Sequence, residues 1–439
     1  MVLPAYVLEC IRALEQAGFE AYAVGGCVRD ALLGLTPHDY DLCTNALPAE
    51  TARVFSQYTL VRNGEKHGTI GVVMDKQVLE ITTFRTEGGY RDSRHPDWVR
   101  FVGDLTEDLA RRDFTVNAMA YNPRQGYIDP FGGQEDLQRG ILRAVGDPTQ
   151  RFSEDALRIL RGVRFGVRFH LTPHEDTMEA MKTLAPTMDK LARERVFDEL
   201  CKLLPLVTAQ DLLDYAPVLV QAVPVLAPCV DFQQHSPYHR YDVYGHTAHV
   251  VEYSPADLAV RWAALLHDCG KPYCFTQDED GMGRFYGHAQ ISAKLAEDML
   301  IQLKAPKALR EQVVFLVDYH MNPLEPDKKL LRRRLSQFGQ QAVEDLLALQ
   351  EADASGLGYG MVAFSDVRNL LQEIYAENSC LTIKDLQADG KDLQQIGFMP
   401  GPNMGNCLHW LLQQVIDDGL PNEKEALLTA AEEFLRSSL

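Results

Sequence analysis

The sequence lacks the features of a membrane-spanning, secreted or disulfide-stabilised protein. No apolar run among its 439 residues approaches the roughly 20 residues that a membrane-spanning helix needs. The nine cysteines are an odd number and include no CxxC pair, which is typical of reduced thiols in a cytosolic protein. The N-terminal stretch predicts an amphipathic helix ended by Gly18, not a secretory signal. We therefore expect a cytoplasmic protein.

The sequence also lacks an excess of positive charge. It carries 43 Lys and Arg against 62 Asp and Glu, a net charge of −19. Taken alone, this sum argues against a nucleic-acid partner, because phosphate contacts need Lys and Arg. The window 151–168, however, holds five arginines and two acids. A basic strip on an acidic body therefore stays open.

Internal repeats and low-complexity segments are absent, and the hydrophobic pattern changes along the chain. The first ~140 residues alternate helix-like and strand-like segments. Strands are predicted at 20–24, 39–44, 58–62, 69–75 and 78–85. From about residue 135 onward the pattern is helical. A proline-rich stretch at 217–237 marks a domain boundary.

Two aspartates stand two positions apart in the predicted strand 39–44. Alternate residues of a strand project from the same face, so Asp39 and Asp41 are expected side by side. Their like charges repel each other unless a cation binds, and Mg²⁺ prefers one or two carboxylates together with substrate phosphates. Glu80, on a later strand, is either a third acid of this site or an ordinary glutamate at the edge of the sheet.

A double glycine precedes these aspartates. Gly25 and Gly26 open a short helix, where backbone N–H groups can approach phosphate oxygens. Arg29 lies on the first turn of that helix and is predicted to clamp a phosphate. A phosphate loop and a metal pair within twenty residues favour metal-assisted nucleotidyl transfer.

Five blocks in order resemble the class II branch of the tRNA nucleotidyltransferase and bacterial poly(A) polymerase family. GGCVRDALLGLTPHDYDL (25–42) is similar to the family's signature, and LARRDFTVNAMAY (109–121) is similar to its ribose-contacting block. IDPFGGQEDL (128–137) resembles the hinge between head and neck. SEDALRILRGVRF (153–165) resembles the base-templating block, and LARERVFDEL (191–200) the helix that stabilises the template. The resemblance implies that Arg112 and Asp113 contact the ribose.

The templating block is predicted to lie on a helix, where Asp155 and Arg158 would be neighbours three positions apart. A carboxylate acceptor beside a guanidinium donor can match the Watson–Crick edge of a base. Cytosine and adenine both offer an exocyclic amino donor and a ring-nitrogen acceptor, so one pair can serve both. Arg161 and Arg164 continue the series and are assigned to a triphosphate or to the tRNA backbone. The alternative is a solvated salt bridge with spare arginines.

Two further stretches bear on which member of the family the chain resembles. VRNGEKHGTIGVV (61–73) is similar to the members that add C, C and A, not to the poly(A) polymerases. Residues 85–102 resemble the flexible loop that permits the switch from C to A addition, with Arg91 and Asp92 as its adjacent base and acid. A merely mobile, charged loop is the alternative.

A second cluster of ligand-type residues lies in the helical part. His246, His267 and Asp268 resemble the metal ligands of the HD phosphohydrolase superfamily. Three residues, Asp318, His288 and His320, compete for the remaining ligand position. Imidazole and carboxylate ligands suit Ni²⁺, Mn²⁺ or Zn²⁺. We assign His249 and His409 to the core instead.

The expected architecture is α+β. A small mixed-sheet nucleotidyltransferase head (1–138) precedes an all-helical neck (139–215), HD domain (216–350) and tail (351–439). In the tail, a Gly/Pro loop at 396–401 enters an amphipathic helix, for which we favour a structural role over a tRNA phosphate contact.

The resemblance implies template-independent addition of C, C and A to the 3′ end of tRNA, with CTP and ATP as substrates and no membrane partner. Mg²⁺ is expected on Asp39 and Asp41, and the nucleotide on Gly26, Arg29 and Arg112. Three alternatives stay open. They are a phosphohydrolase with a non-catalytic head, a poly(A) polymerase or CC-only relative, and a non-catalytic RNA-binding protein.

Overall fold

In the computed structural model, which describes residues 1–88, 98–377 and 379–437, the chain divides into two compact units. The first comprises Met1–Ala227 and Gln302–Ala305, and the second comprises Pro228–Ile301 and Pro306–Leu439. The boundary after Ala227 falls inside the proline-rich stretch 217–237. The finer division into four domains stays a prediction.

The first unit contains the mixed sheet. Its strands are β1 (Ala21–Val24), β2 (Asp41–Thr44), β3 (Thr59–Val61), β4 (Thr69–Met74), β5 (Gln77–Thr83), β6 (Arg85–Gly88), β7 (Trp98–Phe101), β8 (Ala120–Asn122), β9 (Gly126–Ile128), β10 (Ile141–Leu142) and β11 (Thr172–Pro173). Seven of them form one sheet in the order β3-β4-β5-β2-β1-β8-β9. Neighbours in this sheet are antiparallel except β2 and β5, which are parallel. The five predicted strands correspond to β1 through β5, and the mixed α/β head is confirmed.

Helices cover this sheet and continue beyond it. They are α1 (Ala5–Gln16), α2 (Gly26–Leu32), α3 (Pro48–Val54), α4 (Leu105–Ala110), α5 (Gly133–Gln138), α6 (Pro148–Glu154), α7 (Leu157–Phe169), α8 (Glu175–Leu184), α9 (Arg193–Leu203), α10 (Ala209–Asp214) and α11 (Ala216–Ala222). The buried residues of α1 are Val7, Cys10, Ile11 and Leu14, a helical spacing that places one apolar stripe on the core. Gly18, with φ +89°, follows this helix as predicted.

The predicted continuous helix through 153–165 is wrong at one point. α6 ends at Glu154, and Asp155 adopts an extended backbone (φ −143°, ψ 102°) before α7 begins at Leu157. The carboxylate of Asp155 accepts a hydrogen bond from the Leu157 backbone N–H at 3.0 Å. Aspartate competes well for such free N–H groups at a helix start, so it interrupts the helix where it would otherwise continue.

The second unit is helical. The helices that begin in it are α12 (Val243–Tyr253), α13 (Leu258–Leu266), α14 (Lys271–Cys274), α15 (His288–Gln302), α16 (Lys307–Tyr319), α17 (Lys328–Phe338), α18 (Gln340–Gly356), α19 (Ser365–Ala376), α20 (Gly390–Gln395), α21 (Pro402–Ile416) and α22 (Lys424–Ser437). Two short strands, β12 (Thr276–Gln277) and β13 (Gly283–Arg284), form a hairpin. Short 3₁₀ helices across both units occupy Glu65–His67, Thr115–Asn117, Ala185–Lys190, Pro224–Cys229 and Ile383–Asp385.

The core of the second unit forms where α12, α13, α16 and α18 pack together around the fully buried Trp262. The last three helices pack through a separate apolar cluster that includes Leu393, Leu411 and Leu427. Within the part of the chain that the structure describes, no helix is both long and apolar enough to cross a bilayer.

Candidate active site and candidate metal centre

The paired aspartates face an open cleft at the N-terminal end of β2. Asp39, Asp41 and Glu80 line a cavity of about 570 Å³ together with Tyr6 and His38. Asp41 is the first residue of β2, and its register partner on parallel β5 is Glu80. Asp39 precedes the strand by two residues, yet it faces the same cavity. The structure therefore brings all three predicted acids together.

The negative charge of Asp41 has too little positive charge nearby to offset it. Part of this side chain reaches solvent, but the surrounding protein withdraws enough water from it to raise the pKa of Asp41. The Arg112 guanidinium lowers this pKa, whereas the carboxylates of Glu80 and Asp39 raise it further. Asp41 keeps a raised pKa after these effects combine, so a cation bound in the cleft would relieve it. The donor set thus fits Mg²⁺, which favours carboxylate oxygens.

The double glycine makes room for Arg112. Gly25 has φ +78°, and a Cβ atom there would lie 2.9 Å from Nη1 of Arg112. At Gly26 a Cβ atom would lie 3.6 Å from Arg29 Nη2, which is an ordinary contact. The residue that requires glycine is therefore Gly25, while the predicted phosphate contact of Gly26 stays a prediction. The Nε atom of Arg112 is buried with no hydrogen-bond partner within the described residues.

Arg29 is buried and bound to protein atoms. Its guanidinium donates to Asp30 Oδ1 at 2.6 and 2.9 Å and to Asn117 Oδ1 at 2.5 Å. It also lies 4.1 Å from the centroid of the Phe169 ring, and burial lowers its pKa. These contacts place Arg29 as a support under the glycine turn, and its predicted phosphate clamp stays a prediction.

A second cavity, of about 270 Å³, contains the predicted base-reading pair. Asp155 and Arg158 line it together with Arg111, Arg112, Asp113, Leu157, Arg161 and Arg195. Arg112 belongs to this cavity and also acts electrostatically on Asp41, so it links the two. Arg158 is buried and Asp155 is half-buried, and the cavity that they line is connected to Asp41 through Arg112.

The two residues of the pair have partners other than each other, because the helix is interrupted between them. Asp155 binds Arg195, whose Nη2 donates to Oδ2 at 2.8 Å. Arg158 donates to Glu154 at 2.7 Å, to the Arg151 carbonyl at 2.9 Å and to the Arg111 carbonyl at 3.0 Å. A guanidinium has five N–H donors, so two of them are not engaged in these three bonds.

Arg161 and Arg164 of α7 form ion pairs with carboxylates of the protein. Arg161 donates two hydrogen bonds to Asp113 Oδ2, at 3.0 and 2.7 Å. Burial alone would raise the pKa of Asp113, but Arg161 and Asn117 lower it to about 2. Arg164 is buried and donates to Glu199 of α9 at 2.6 Å. The predicted phosphate contacts of Arg161 and Arg164, and the ribose contact of Asp113, stay predictions; the structure gives all three a partner within the protein.

Two residues of this site were not singled out from the sequence. Arg195 holds Asp155, and its only sequence signal is its place in the template-stabilising block. Asp108 is fully buried and accepts hydrogen bonds from Arg111, Arg112 and the Arg85 backbone N–H. It connects the start of β6 to the arginines of the cavity. Arg91 and Asp92, predicted in the loop that follows β6, lie outside the described residues.

The second unit assembles a cluster of four histidines and two aspartates from the ends of its helices. Four of these residues come first along the chain: His246 in α12, His267 and Asp268 directly after α13, and His288 at the start of α15. His320 follows α16, and Asp353 lies in the last turn of α18. Among the described residues, two groups of three have ligand atoms within 4.8 Å of one another, namely His246/His267/Asp268 and Asp268/His288/His320.

The distances in this cluster fit metal coordination. Two ligands that each lie ~2.1 Å from one metal ion are roughly 3.0–3.4 Å apart in octahedral or tetrahedral geometry. Asp268 Oδ2 lies 3.2 Å from His267 Nε2 and 3.5 Å from His246 Nε2. Its other oxygen, Oδ1, lies 3.3 Å from His288 Nε2, which is 3.2 Å from His320 Nε2. The two oxygens of Asp268 therefore face two separate ligand sets.

The imidazoles are oriented for coordination by the backbone. Each Nδ1 lies 2.7–3.1 Å from a carbonyl oxygen, those of Gly356, Ala264, Phe285 and Val317. A carbonyl only accepts, so Nδ1 must carry the proton and the lone pair of a neutral imidazole is on Nε2. This arrangement, with Nε2 turned to the cluster, is typical of metal-binding histidines. Despite its burial, the carboxylates of Asp268 and Asp353 raise the pKa of His267 to about 10, so a metal ion that binds Nε2 must displace a proton from it.

The structure places two of the three candidates for the remaining ligand position in the cluster. Both His288 and His320 join the cluster, whereas Asp318 belongs to neither ligand group among the described residues. Asp353 was missed, although it lies 2.9 Å from His246 Nε2. Its signal in the sequence is the run EADASG, whose small residues let α18 approach α12. A Cβ atom at Gly356 would lie 3.3 Å from His246 Cε1. His249 stacks on Tyr241, and His409 is exposed rather than in the core.

Comparisons with known proteins agree with this geometry. Family models match three segments: the poly A polymerase head domain at residues 21–143, a probable RNA- and SrmB-binding site of polymerase A at 170–214, and a putative tRNA nucleotidyltransferase domain 2 at 274–431. Among solved structures, the Bacillus stearothermophilus CCA-adding enzyme in complex with CTP superposes with a TM-score of 0.72 at 28% identity, covering 100% of this chain and 99% of that one. A Thermotoga maritima CCA-adding enzyme complexed with tRNA shares the fold, with a TM-score of 0.60 at 20% identity over 100% of this chain and 97% of that one.

Sequence relatives extend over nearly the whole chain. The CCA-adding enzyme of Streptococcus sanguinis is 36% identical over 98% of both chains. That of Streptococcus gordonii is 35% identical over 97% of both chains. The chain therefore belongs to the CCA-adding enzyme family.

Proposed function

We propose that the chain adds C, C and A, without a nucleic-acid template, to the 3′ end of tRNA, using CTP and ATP and releasing pyrophosphate. The observation that carries this proposal is the position of Arg112. It contacts the glycine turn, acts on Asp41 of the acidic cleft, and lines the cavity that contains Asp155 and Arg158. A nucleotide that spans the two cavities would place its base and its triphosphate at opposite ends of this arginine.

Asp39, Asp41 and Glu80 are the residues that would hold Mg²⁺. A cation bound there would offset the negative charge of the triphosphate and would lower the pKa of the attacking 3′-hydroxyl group. Arg112 adds positive charge near Asp41 and, with its free Nε, would donate to a phosphate oxygen or the ribose. The protein thereby positions the two reactants for an in-line displacement at the α-phosphate.

Asp155 and Arg158 would choose the base. The carboxylate accepts from an exocyclic amino group, and the two unengaged N–H donors of Arg158 reach the ring nitrogen. Cytosine and adenine have this pattern of donor and acceptor. Uracil and guanine present a carbonyl and a ring N–H at the corresponding positions, so they leave both side chains unsatisfied. This difference excludes UTP and GTP without a template strand.

The test uses tRNA transcripts that end before the first C, after CC and after CCA, each incubated with labelled CTP or ATP. We expect CMP incorporation into the first, AMP incorporation into the second and none into the third. Extension of the third would indicate poly(A) activity, and failure at the second would indicate CC-only addition. Asp41→Asn should lower incorporation roughly a hundredfold or more, since metal-borne charge stabilisation is worth several kcal/mol. Asp189→Asn, an exposed acid of the same unit, is the control.

We propose a second activity for the cluster in the second unit, that of a metal-dependent phosphohydrolase. The supporting observation is the donor set: two groups of three ligands share Asp268, and Asp353 adds a carboxylate to the first. Imidazole with carboxylate suits Ni²⁺, Mn²⁺ or Zn²⁺. Ions bound there supply Lewis acidity and activate water. The ammonium group of Lys271, 2.6 Å from Asp268 Oδ2, offsets part of the negative charge.

Metal content of the purified full chain tests this assignment. We expect up to two transition-metal ions per chain, a loss of one in His320→Ala and of both in Asp268→Asn. A wild-type chain that binds no metal after equilibration with each of the three ions would contradict it.

All nine cysteines are free, so we also infer a reducing, cytoplasmic compartment.

A further inference from the structure

The first unit contains a third cavity, of about 470 Å³, which shares no lining residue with the acidic cleft or with the cavity of Asp155 and Arg158. It lies where the end of α7 meets β11, α8 and α10. We call it the α10 cavity, and the lining residues that matter here are Gly166, Leu171, Met178, Asp211, Asp214 and Tyr215. Neither activity proposed above uses any of these residues.

Two carboxylates of the α10 cavity are bound only by neutral groups. Asp211 Oδ2 accepts hydrogen bonds from the Thr208 backbone N–H at 2.9 Å and from its hydroxyl group at 2.7 Å. Asp214 Oδ1 accepts one from Gln210 Nε2 at 2.7 Å. Within the described part of the chain, neither aspartate forms an ion pair with a lysine, arginine or histidine, and each keeps one oxygen outside these bonds. The negative charge of the pair is therefore not offset by the protein.

The hydroxyl group of Tyr215 is an independent sign of a ligand. Tyr215 is only 5% exposed and lines the cavity, yet its hydroxyl group has no hydrogen-bond partner among the residues that the structure describes. Burial raises the pKa of Tyr215, and the carboxylates of Asp211 and Asp214 raise it further, so the group stays an uncharged hydroxyl. It packs against Gly166, where a Cβ atom would overlap it. A buried hydroxyl without a partner costs free energy unless a bound molecule satisfies it.

The charges around the α10 cavity favour an organic cation as the ligand. The C-terminal end of α7 reaches the cavity at Gly166 and His170, and the carbonyl groups at a helix C-terminus carry partial negative charge. Of the lining residues, only His170 has a basic side chain, and it is exposed. A phosphate or other anion would thus be repelled. Among the described residues, neither Asp211 nor Asp214 belongs to a group of three ligands that could hold a metal ion.

The shape and the apolar walls of the cavity favour ammonium groups on an aliphatic chain. Leu171 is buried and Met178 is half-buried, so methylene groups of a ligand can pack against both side chains. Asp211 and Asp214 lie three positions apart on α10, which makes their side chains neighbours on one face of the helix. Two ammonium groups joined by a few methylene groups would match these two carboxylates and the apolar wall together.

We propose that the α10 cavity binds an aliphatic polyamine. Its ammonium groups donate hydrogen bonds to the free carboxylate oxygens of Asp211 and Asp214 and to the hydroxyl oxygen of Tyr215. Its methylene groups pack against Leu171 and Met178. The bound molecule would connect α10 to the end of α7 and so stabilise the first unit. This site is independent of both activities proposed above, and its test requires neither of them.

The first test measures spermidine binding to the full chain by titration calorimetry, in EDTA and without tRNA or nucleotide. We expect Asp214→Asn to weaken binding roughly tenfold and Tyr215→Phe roughly fivefold, since each removes a hydrogen bond to a charged group. Tyr215→Phe deletes a hydroxyl group without a partner, so its unliganded chain should unfold at no lower temperature than the wild type. Glu179→Gln, which changes an exposed acid of α8 outside the cavity, is the control. No binding to the wild type, or equal losses in all three variants, would overturn the proposal.

The second test locates the site by hydrogen–deuterium exchange of the full chain, read by mass spectrometry. Putrescine is compared with butanediol, which has the same carbon chain but carries hydroxyl groups in place of the ammonium groups. We expect putrescine, and not the diol, to slow exchange in peptides that cover residues 166–178 and 209–215. Equal protection by both compounds would show a cavity that is merely apolar, and protection confined to other peptides would show a different site. Either result would contradict the proposal.

Discussion

Three arginines of α7, spaced three residues apart, have three different tasks. Arg158 lines the cavity with donors to spare, Arg161 neutralises Asp113, and Arg164 is buried against Glu199. A guanidinium is charged in each place, but its environment decides what the charge does. At the scale of single residues, function here depends on which carboxylate or carbonyl each arginine meets.

Arg195 should govern base choice without touching the reacting atoms. Its guanidinium fixes Asp155 through two hydrogen bonds, so Arg195→Ala would let the carboxylate swing and would lower the discrimination against UTP and GTP roughly tenfold. Incorporation of all four nucleotides into a tRNA ending after CC measures this. Arg193→Ala on the same helix is the control, because Arg193 does not line the cavity. An equal loss of rate for every nucleotide would point to a purely structural role.

Asp113 should make stability depend on pH in the acid range. Its pKa is lowered from 3.8 to about 2 in the folded chain. The stabilisation from this carboxylate is therefore full above about pH 4 and is lost as the pH falls towards about 2. Asp113→Asn should cost roughly 2 kcal/mol at pH 7 and progressively less below pH 4. Urea unfolding at several pH values tests this, with Asp198→Asn, an exposed acid on α9, as the control. A constant difference across this range would contradict the assignment.

At the scale of helices, it is their ends that place the histidines of the proposed metal centre. His267 and His320 follow the last residues of α13 and α16, and His288 is the first residue of α15. There the backbone carbonyls of the last turns lack helical partners and accept from the imidazole Nδ1 atoms of His267 and His320. The helix ends thus orient two ligands while satisfying their own free carbonyls.

Two helical glycines should respond oppositely to the same substitution. A Cβ atom on Gly166 of α7 would lie 2.4 Å from the Tyr215 hydroxyl and 3.1 Å from the Leu171 carbonyl, so Gly166→Ala should destabilise the first unit. Nothing lies within 4 Å of such an atom on Gly405 of α21. Gly405→Ala should therefore stabilise by about 0.5–1 kcal/mol through helix propensity. Scanning calorimetry of both variants measures the shifts. An upward shift for Gly166→Ala would show that the tyrosine moves aside.

At the scale of the whole molecule, two sites of different chemistry lie in separate compact units. The acidic cleft and the base cavity belong to the first unit, and the cluster of histidines and aspartates belongs to the second. The first offers carboxylates suited to Mg²⁺, and the second offers imidazoles suited to transition metals. All candidate ligands of each site lie within one unit.

We therefore expect the two activities to be separable by mutation. Asp41→Asn should abolish CMP and AMP incorporation while leaving transition-metal content unchanged, and His267→Ala should do the reverse. Incorporation assays and metal analysis on the same preparations measure both effects. Loss of both properties in either variant, with unfolding transitions that match the wild type, would show that the two sites depend on each other.

The sequence by itself determined the class of fold and the five strands of the first part of the sheet, and it singled out the paired acids together with His246, His267 and Asp268 of the second unit. These follow from periodicity, from local spacing and from ordered motifs, which depend on neighbours along the chain. Only the tertiary structure decided that Asp155 pairs with Arg195 and not Arg158, that Gly25 rather than Gly26 must be glycine, and that Asp353, which spacing did not single out, lies beside His246. Those choices depend on which segments meet in space, because a charged side chain is satisfied by its nearest partner in three dimensions, and spacing along the chain does not specify that partner.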